Sequence, residues 1–180
     1  MYEHNLNNQY MMFKKLALSL VAAIALSFSA SAQKTVVDIA IGSADHTTLV
    51  AAVKAADLVT TLQSAGPFTV FAPTNAAFAK LPAGTVDYLL KAENKATLAK
   101  VLTYHVVAGK FVAADVVKAI NDAKGTLSLK TVSGGTLQAS LKDGRVILKD
   151  EKGGTSTVVV ADLVAGNGVV HVIDSVVLPN

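Results

Sequence analysis

The spacing of apolar residues changes near the middle of the chain, and this change predicts helices first and strands afterwards. Between residues 35 and 123, apolar side chains recur every three or four positions, which is the period of an amphipathic helix. One long helix is predicted from an N-cap at Asp45 to the Gly66-Pro67 pair, after a short helical turn over residues 35–41. His46 is expected to begin this helix at an exposed position.

Four shorter helices and one strand complete the predicted first half. Thr, Val and Phe favour a strand just after Gly66-Pro67, and Pro73 keeps the preceding residue extended. Thr74 is a suitable N-cap for the helix that follows this strand. The strand is predicted over residues 68–72, and the helices over residues 74–81, 85–91, 94–102 and 114–123.

After Lys124 the apolar residues alternate with polar ones, which is typical of strands. Asp143-Gly144 has the composition of a two-residue hairpin turn, in which both central residues need positive φ. Residues 169–178 are apolar on both faces, so this last strand is predicted to lie inside the sheet, covered on each side. Because helices and strands segregate along the chain, the predicted class is α+β. The strands are predicted over residues 126–132, 136–142, 145–149, 156–161 and 169–178.

The N-terminus has the pattern of a cleaved secretory signal peptide. Two lysines precede an apolar run of 13 residues over 16–28, and Ala30-Ser31-Ala32 supplies the small residues of a cleavage site. A helix of that length reaches only about 20 Å, which is short of the bilayer core. We therefore expect a leader and signal peptide over residues 1–32, cleavage after Ala32, and a secreted or periplasmic domain over residues 33–180 that spans no membrane.

The polar leader fits poorly in front of the lysines. Translation therefore has three possible starts, at Met1, Met11 or Met12.

Composition excludes several functional classes for the predicted mature chain. It carries 14 basic and 12 acidic residues, a net charge near +2, with a single arginine and no basic cluster. Nucleic-acid binding normally needs a concentrated cationic face, so it is not expected. The absence of cysteine removes thiol catalysis and thiolate metal sites.

Four polar residues interrupt the apolar segments: Asn75, His105, His171 and Asp174. His105 and Asp174 could serve as a catalytic base and its orienting carboxylate, but no Gly-x-Ser-x-Gly elbow or other nucleophile accompanies them. The favoured interpretation is a structural polar network of Asn75, His105 and Asp174, because buried polar groups need partners. No enzymatic activity is predicted.

Neither a metal nor a cofactor is expected. His46, His105 and His171 are separated by 59 and 66 residues, which matches no compact ligand motif. Gly166-Asn167-Gly168 lacks the lysine and helix of a phosphate loop, so it is interpreted as a turn in which Asn167 tolerates the left-handed conformation.

Three ordered segments carry a family resemblance. They are TVFAPTNAAFAKLP at residues 69–82, LTYHVVAGK at 102–110 and GVVHVIDSVVLP at 168–179. Together they resemble the first box, the Tyr-His motif and the second box of fasciclin-like (FAS1) domains, and the likeness extends over the whole mature chain. The resemblance implies a β-wedge or sandwich of about seven strands in two sheets, with helices packed on one side.

The resemblance also implies a function, that of a non-catalytic extracellular adhesion or protein-interaction module. Its partner would be a cell-surface or matrix protein or a glycan. In animal matrix members the Tyr-His segment and an Asp-Ile dipeptide are implicated in integrin recognition, which maps to Tyr104 with His105 and to Asp162 with Leu163. Val160 and Ala161 stand where that motif carries Glu and Pro, so integrin binding is not carried over. The alternative function is a periplasmic carrier of a lipid or small molecule, suggested by the high aliphatic content.

Overall fold

The computed structural model describes residues 33–180, so the predicted signal peptide lies outside the described residues. Two short 3-10 turns, Ala44–His46 and Ala92–Asn94, accompany the α-helices of this part of the chain. Thr74 caps its helix as predicted, because its hydroxyl accepts a hydrogen bond from the Ala77 N–H at 3.2 Å. The helices are α1 Val36–Ile41, α2 Thr47–Ala55, α3 Val59–Gln63, α4 Asn75–Ala79, α5 Thr85–Leu90, α6 Lys95–Tyr104 and α7 Ala113–Asp122.

The strands form one seven-stranded sheet in the order β2-β1-β7-β6-β5-β4-β3, which confirms the α+β class. The family resemblance implied two sheets, whereas in this chain the seven strands form one continuous series of paired strands. Parallel pairing joins β1 to β7, and the other five pairings are antiparallel. A bridge from Val107 to Thr131 links the two ends of the series. The strands are β1 Phe68–Pro73, β2 Val106–Ala108, β3 Thr126–Lys130, β4 Thr136–Lys142, β5 Arg145–Lys149, β6 Thr155–Ala165 and β7 Gly168–Ile173.

β7 is an interior strand, between β1 and β6, as its apolar faces predicted. All six of its residues are buried, and the strand contributes to two hydrophobic clusters on its opposite faces. Val170 packs on the helical side with residues of α2 and α6, while Ile173 packs inside the wedge beneath α7. The predicted strand over 169–178 is too long, because the chain leaves the sheet after Ile173.

The long helix predicted after Asp45 is wrong, because the chain breaks between α2 and α3. Asp57 adopts a positive φ of 55°. The Leu58 N–H bonds the Val53 carbonyl and the Asp57 N–H bonds the Lys54 carbonyl, each at 3.1 Å, which is the Schellman pattern of a helix end. Glycine usually occupies such a left-handed position, so an aspartate within an apolar pattern gave no warning of the break.

The predicted start of that helix is wrong as well. Asp45 lies inside the 3-10 turn and caps no helix. The cap comes from Asn75, whose Oδ1 accepts hydrogen bonds from the Thr48 N–H at 2.9 Å and the Thr47 hydroxyl at 3.2 Å. His46 is buried instead of exposed, because the 3-10 turn directs it inward.

The Asp143-Gly144 hairpin is confirmed. Both residues have positive φ, 52° and 74°, and they join β4 to β5. Strands β4 and β5 therefore begin and end where the sequence predicted.

Candidate interaction surface

β6 departs from regular pairing at two places. Val158 pairs with Ile173, Val160 with Val172 and Leu163 with Val170, so β6 has one extra residue in each interval. Such extra residues are β-bulges, which bend a strand and turn its side chains toward new directions. Asp162 lies in the second bulge with a φ of 60°, in the left-handed region.

His171 holds this second bulge against the loop before α7. Its Nδ1 accepts a hydrogen bond from the Asp162 N–H at 3.3 Å, and its Nε2 donates to the Phe111 carbonyl at 2.7 Å. The ring stacks on Phe71, with centroids 5.7 Å apart. His171 is therefore a core histidine that bonds through both nitrogens.

Asp162 has a structural contact of its own. Its Oδ1 accepts a hydrogen bond at 2.7 Å from the N–H of Ala113, the first residue of α7. A carboxylate at a helix N-terminus satisfies a free N–H and interacts favourably with the helix dipole. Asp162 remains exposed, so it caps α7 from the protein surface.

Three exposed valines lie close to Asp162 along β6. Val159, Val160 and Val164 are 49%, 46% and 59% exposed. The described chain has three other large hydrophobic residues this exposed, and they lie apart from one another in sequence, at Ile41, Tyr88 and Val132. We call Val159, Val160, Asp162 and Val164 the β6 patch.

The four residues predicted to contact a partner fall in different environments. Tyr104 and His105 are 0% and 2% exposed, so a partner cannot reach them in this conformation, and their expected place on a contact surface is wrong. Leu163 is half-buried and packs against the helical cluster. Asp162 alone of the four is exposed.

Tyr104 fills the interior of the wedge. Its hydroxyl donates to the Thr136 carbonyl at 2.8 Å and accepts from the Glu151 N–H at 3.3 Å. Burial raises the pKa of Tyr104. The ring and the hydroxyl together join α6 to β4 and to the turn after β5.

Asn75, His105 and Asp174 do not form the single network that was expected. They have separate partners, and no hydrogen bond in residues 33–180 joins any two of them. His105 is buried between Val101, whose carbonyl lies 2.8 Å from Nδ1, and Val177, whose N–H lies 3.2 Å from Nε2. Burial lowers the pKa of His105 to about 4.

Asp174 joins β7 to β6. It accepts hydrogen bonds from the Thr157 N–H at 2.8 Å and the Ser156 hydroxyl at 3.3 Å. Burial acts to raise its pKa, but the Thr157 N–H and the Lys80 ammonium together lower it. Asp174 and His105 therefore have different neighbours and do not form a base with an orienting carboxylate.

Asn167 has a role that the sequence did not reveal. It lacks the positive φ expected from its place between two glycines. Its side chain accepts from the Val36 N–H at 2.9 Å and donates to the carbonyls of Leu62 and Ser64 at 2.8 and 3.0 Å. The turn before β7 is thereby joined to α1 and to the end of α3.

Residues 33–180 contain neither a cluster of metal ligands nor a membrane-spanning helix. No three potential ligands of the His, Cys, Asp or Glu type come together in a way that could hold a metal ion. Likewise, none of the helices described combines the length and apolarity needed to cross a bilayer.

Sequence comparison defines the class of protein that this fold and surface represent. The family model of the fasciclin domain matches residues 44–179. The chain therefore belongs to the fasciclin domain family.

Several proteins are similar to this chain. It is 49% identical over 158 residues to protein sll1483 of Synechocystis, covering 88% of this chain and 81% of that one. It is 38% identical over 145 residues to transforming growth factor-beta-induced protein ig-h3 of Sus scrofa, covering 81% of this chain but 19% of that one. Among solved structures, a FAS1 domain pair from the insect cell adhesion molecule fasciclin I gives a TM-score of 0.70 at 20% identity, over 81% of this chain and 51% of that one.

Proposed function

We propose that this protein is an exported adhesion or protein-interaction module that binds a cell-surface or matrix protein or a glycan, without catalysis. The predicted signal peptide over residues 1–32 would direct export, and the domain over residues 33–180 would act outside the cell or in the periplasm. The observation that carries the proposal is the β6 patch, where three exposed valines flank an exposed carboxylate along one strand.

The composition of the β6 patch supports binding to another macromolecule. Neighbouring exposed apolar side chains are typical of interaction sites, whereas single exposed apolar residues are ordinary. The bulges and the contact of Asp162 with α7 fix the backbone of the patch. A surface held in this way loses little conformational entropy on binding.

The relatives support the same class of function. One solved structure with this fold comes from a cell adhesion molecule. The proposed contact differs from the one implied by the family resemblance, because it excludes Tyr104 and His105 and retains Asp162. The alternative, a carrier of a small molecule, would use the interior beside α1 instead of this patch.

Lysine substitutions in the β6 patch provide the test. Val159→Lys and Val164→Lys are expected to reduce binding of the labelled protein to envelope preparations of its source organism by about tenfold or more. An unpaired charge buried in an apolar contact costs more than the ~1.4 kcal/mol that corresponds to tenfold in affinity. Binding isotherms on immobilised envelope fractions give the measurement.

Val132→Lys is the matched control, because Val132 is 48% exposed and lies outside the β6 patch. It should bind as the unmodified protein does, and all three variants should keep the same unfolding midpoint. Equal binding by Val159→Lys, Val164→Lys and Val132→Lys would refute the assignment of the contact to β6.

A further inference from the structure

A second feature of the molecule is a cavity between α1, the Ala44–His46 turn and the sheet. Its volume is about 190 Å³. Its walls come from α1, β1, β6 and β7, and they are mainly aliphatic. The wall residues that matter below are Ile39, Ala40, Val160, Leu163, Val170 and Val172.

His46 also lines this cavity, and one of its nitrogens has no partner. The side chain is 5% exposed, and its Nδ1 lies 2.8 Å from the Ser43 hydroxyl. Within residues 33–180, Nε2 of His46 is the one buried side-chain nitrogen or oxygen without a hydrogen bond. The Ala72 carbonyl lies close enough to the ring to oppose part of the effect of burial on the pKa of His46. It makes no hydrogen bond of normal geometry with Nε2. An unpartnered buried polar atom costs free energy, so its position on the wall of a cavity points to a ligand.

The lining determines which polar group this ligand carries. Burial lowers the pKa of His46, so the ring is neutral at pH 7 and gives no positive charge to a carboxylate or phosphate. Asp45 lines the same cavity and would repel an anion. Aliphatic walls disfavour an ion of either sign because they offer no hydration.

A hydroxyl group meets these conditions. It can donate a hydrogen bond or accept one, so it suits Nε2 in either neutral tautomer of His46. The aliphatic walls can surround a hydrocarbon chain attached to that hydroxyl. Val160 is 46% exposed and forms part of the wall, so the cavity has access to the surface at β6.

We propose that the cavity beside α1 binds a slender aliphatic alcohol, with its hydroxyl on His46 Nε2 and its chain along the walls from α1, β6 and β7. This site shares Val160 with the β6 patch, but the other patch residues do not line the cavity. It defines a small-molecule function in which the protein holds an alkyl chain with a neutral polar end.

The test compares four eight-carbon probes on protein produced from the full chain. 1-Octanol, octane, octanoate and octylamine are titrated at pH 7, and binding is followed by NMR shifts of the His46 ring and of nearby methyl groups. 1-Octanol is expected to bind saturably and at least tenfold more tightly than each of the other three. Tighter binding of octanoate or octylamine, equal binding of octane, or no saturable binding of 1-octanol would each overturn the proposal.

Two variants test the placement. His46→Phe keeps an aromatic ring but removes Nε2, so its affinity for 1-octanol should fall at least tenfold, to that of octane. In Val160→Phe the larger side chain should fill part of the cavity and abolish 1-octanol binding. The fold should tolerate it because residue 160 is about half exposed. Val159→Phe is the matched control, because the neighbouring Val159 is 49% exposed and does not line the cavity.

The variants also separate this site from the proposed adhesion. 1-Octanol binding that survives both His46→Phe and Val160→Phe would place the ligand elsewhere and refute the site. Val164→Lys should leave 1-octanol binding unchanged, whatever it does to binding of envelope preparations. Loss of envelope binding in Val164→Lys therefore bears on the β6 patch alone, and loss of octanol binding in His46→Phe bears on the cavity alone.

Discussion

Gly168→Ala is expected to destabilise the protein by at least about 3 kcal/mol, a large fraction of the roughly 5–15 kcal/mol that stabilises a typical domain. Gly168 begins β7 and pairs with Phe68 of β1 in parallel register. A methyl group on Gly168 would overlap the Phe68 carbonyl oxygen and crowd the neighbouring backbone atoms. The backbone atoms of β1 cannot move away as a flexible side chain can, so the pairing of β1 with β7 must open. Urea unfolding followed by circular dichroism gives the measurement.

The matched control for this prediction is Gly42→Ala. Gly42 ends α1 with a φ of −73°, and an added methyl group would lie 3.3 Å from the Asp38 carbonyl oxygen. Its cost is expected to be about 1 kcal/mol or less. If Gly168→Ala were as stable as Gly42→Ala, the close approach of β1 and β7 would be wrong.

The second large effect is expected from Tyr104→Ala, at about 4 kcal/mol of lost stability. Tyr104 is fully buried, so its removal leaves a cavity inside the wedge. The Thr136 carbonyl and the Glu151 N–H also lose their hydrogen-bond partner. Thermal and urea unfolding measure the change.

Tyr104→Phe separates the structural role of Tyr104 from a role in binding. It keeps the ring and removes the hydroxyl, so we expect a loss of about 1–2 kcal/mol with no change in binding to envelope preparations. A folded Tyr104→Phe protein that no longer bound would restore Tyr104 as a contact residue.

The strand half of the fold could be predicted because local sequence and long-range packing agree there. Asp143-Gly144 determines a hairpin by itself, and alternation determines which face of each neighbouring strand is buried. β7 was predictable as an interior strand for a similar reason, since both of its faces are apolar. The break between α2 and α3 could not be predicted, because Asp57 adopts the left-handed conformation without glycine or proline nearby.

The candidate site was less predictable than the fold, because it depends on contacts between distant segments. Asp162 was found through the family resemblance, but its contact with α7 and the bulges of β6 depend on pairing with β7. Tyr104 and His105 were misplaced, since a conspicuous polar pair in an apolar segment does not show whether it faces solvent. Asn167 was missed because its partners are about 100 and 130 residues away in the chain.

The buried position of His105 makes the stability of the protein depend on pH. With its pKa lowered to about 4, His105 stays neutral in the folded protein, whereas the unfolded chain takes up a proton near pH 6.5. The unfolded state then binds more protons between these two values. The free energy of unfolding is therefore expected to fall as the pH decreases from about 6.5 to 4, by up to about 1.4 kcal/mol per pH unit from this residue.

We infer that the polar residues within the apolar segments stabilise the fold and take no part in chemistry. An NMR titration of the histidine rings tests this inference most directly. The signals of the His105 ring are assigned because they are missing from the spectrum of His105→Gln. We expect a His105 ring that carries its proton on Nδ1, exchanges slowly with solvent and does not titrate above pH about 4. A His105 ring that titrates near pH 6.5 and exchanges freely with water would be an accessible base. This result would overturn the inference that His105 has only a structural role.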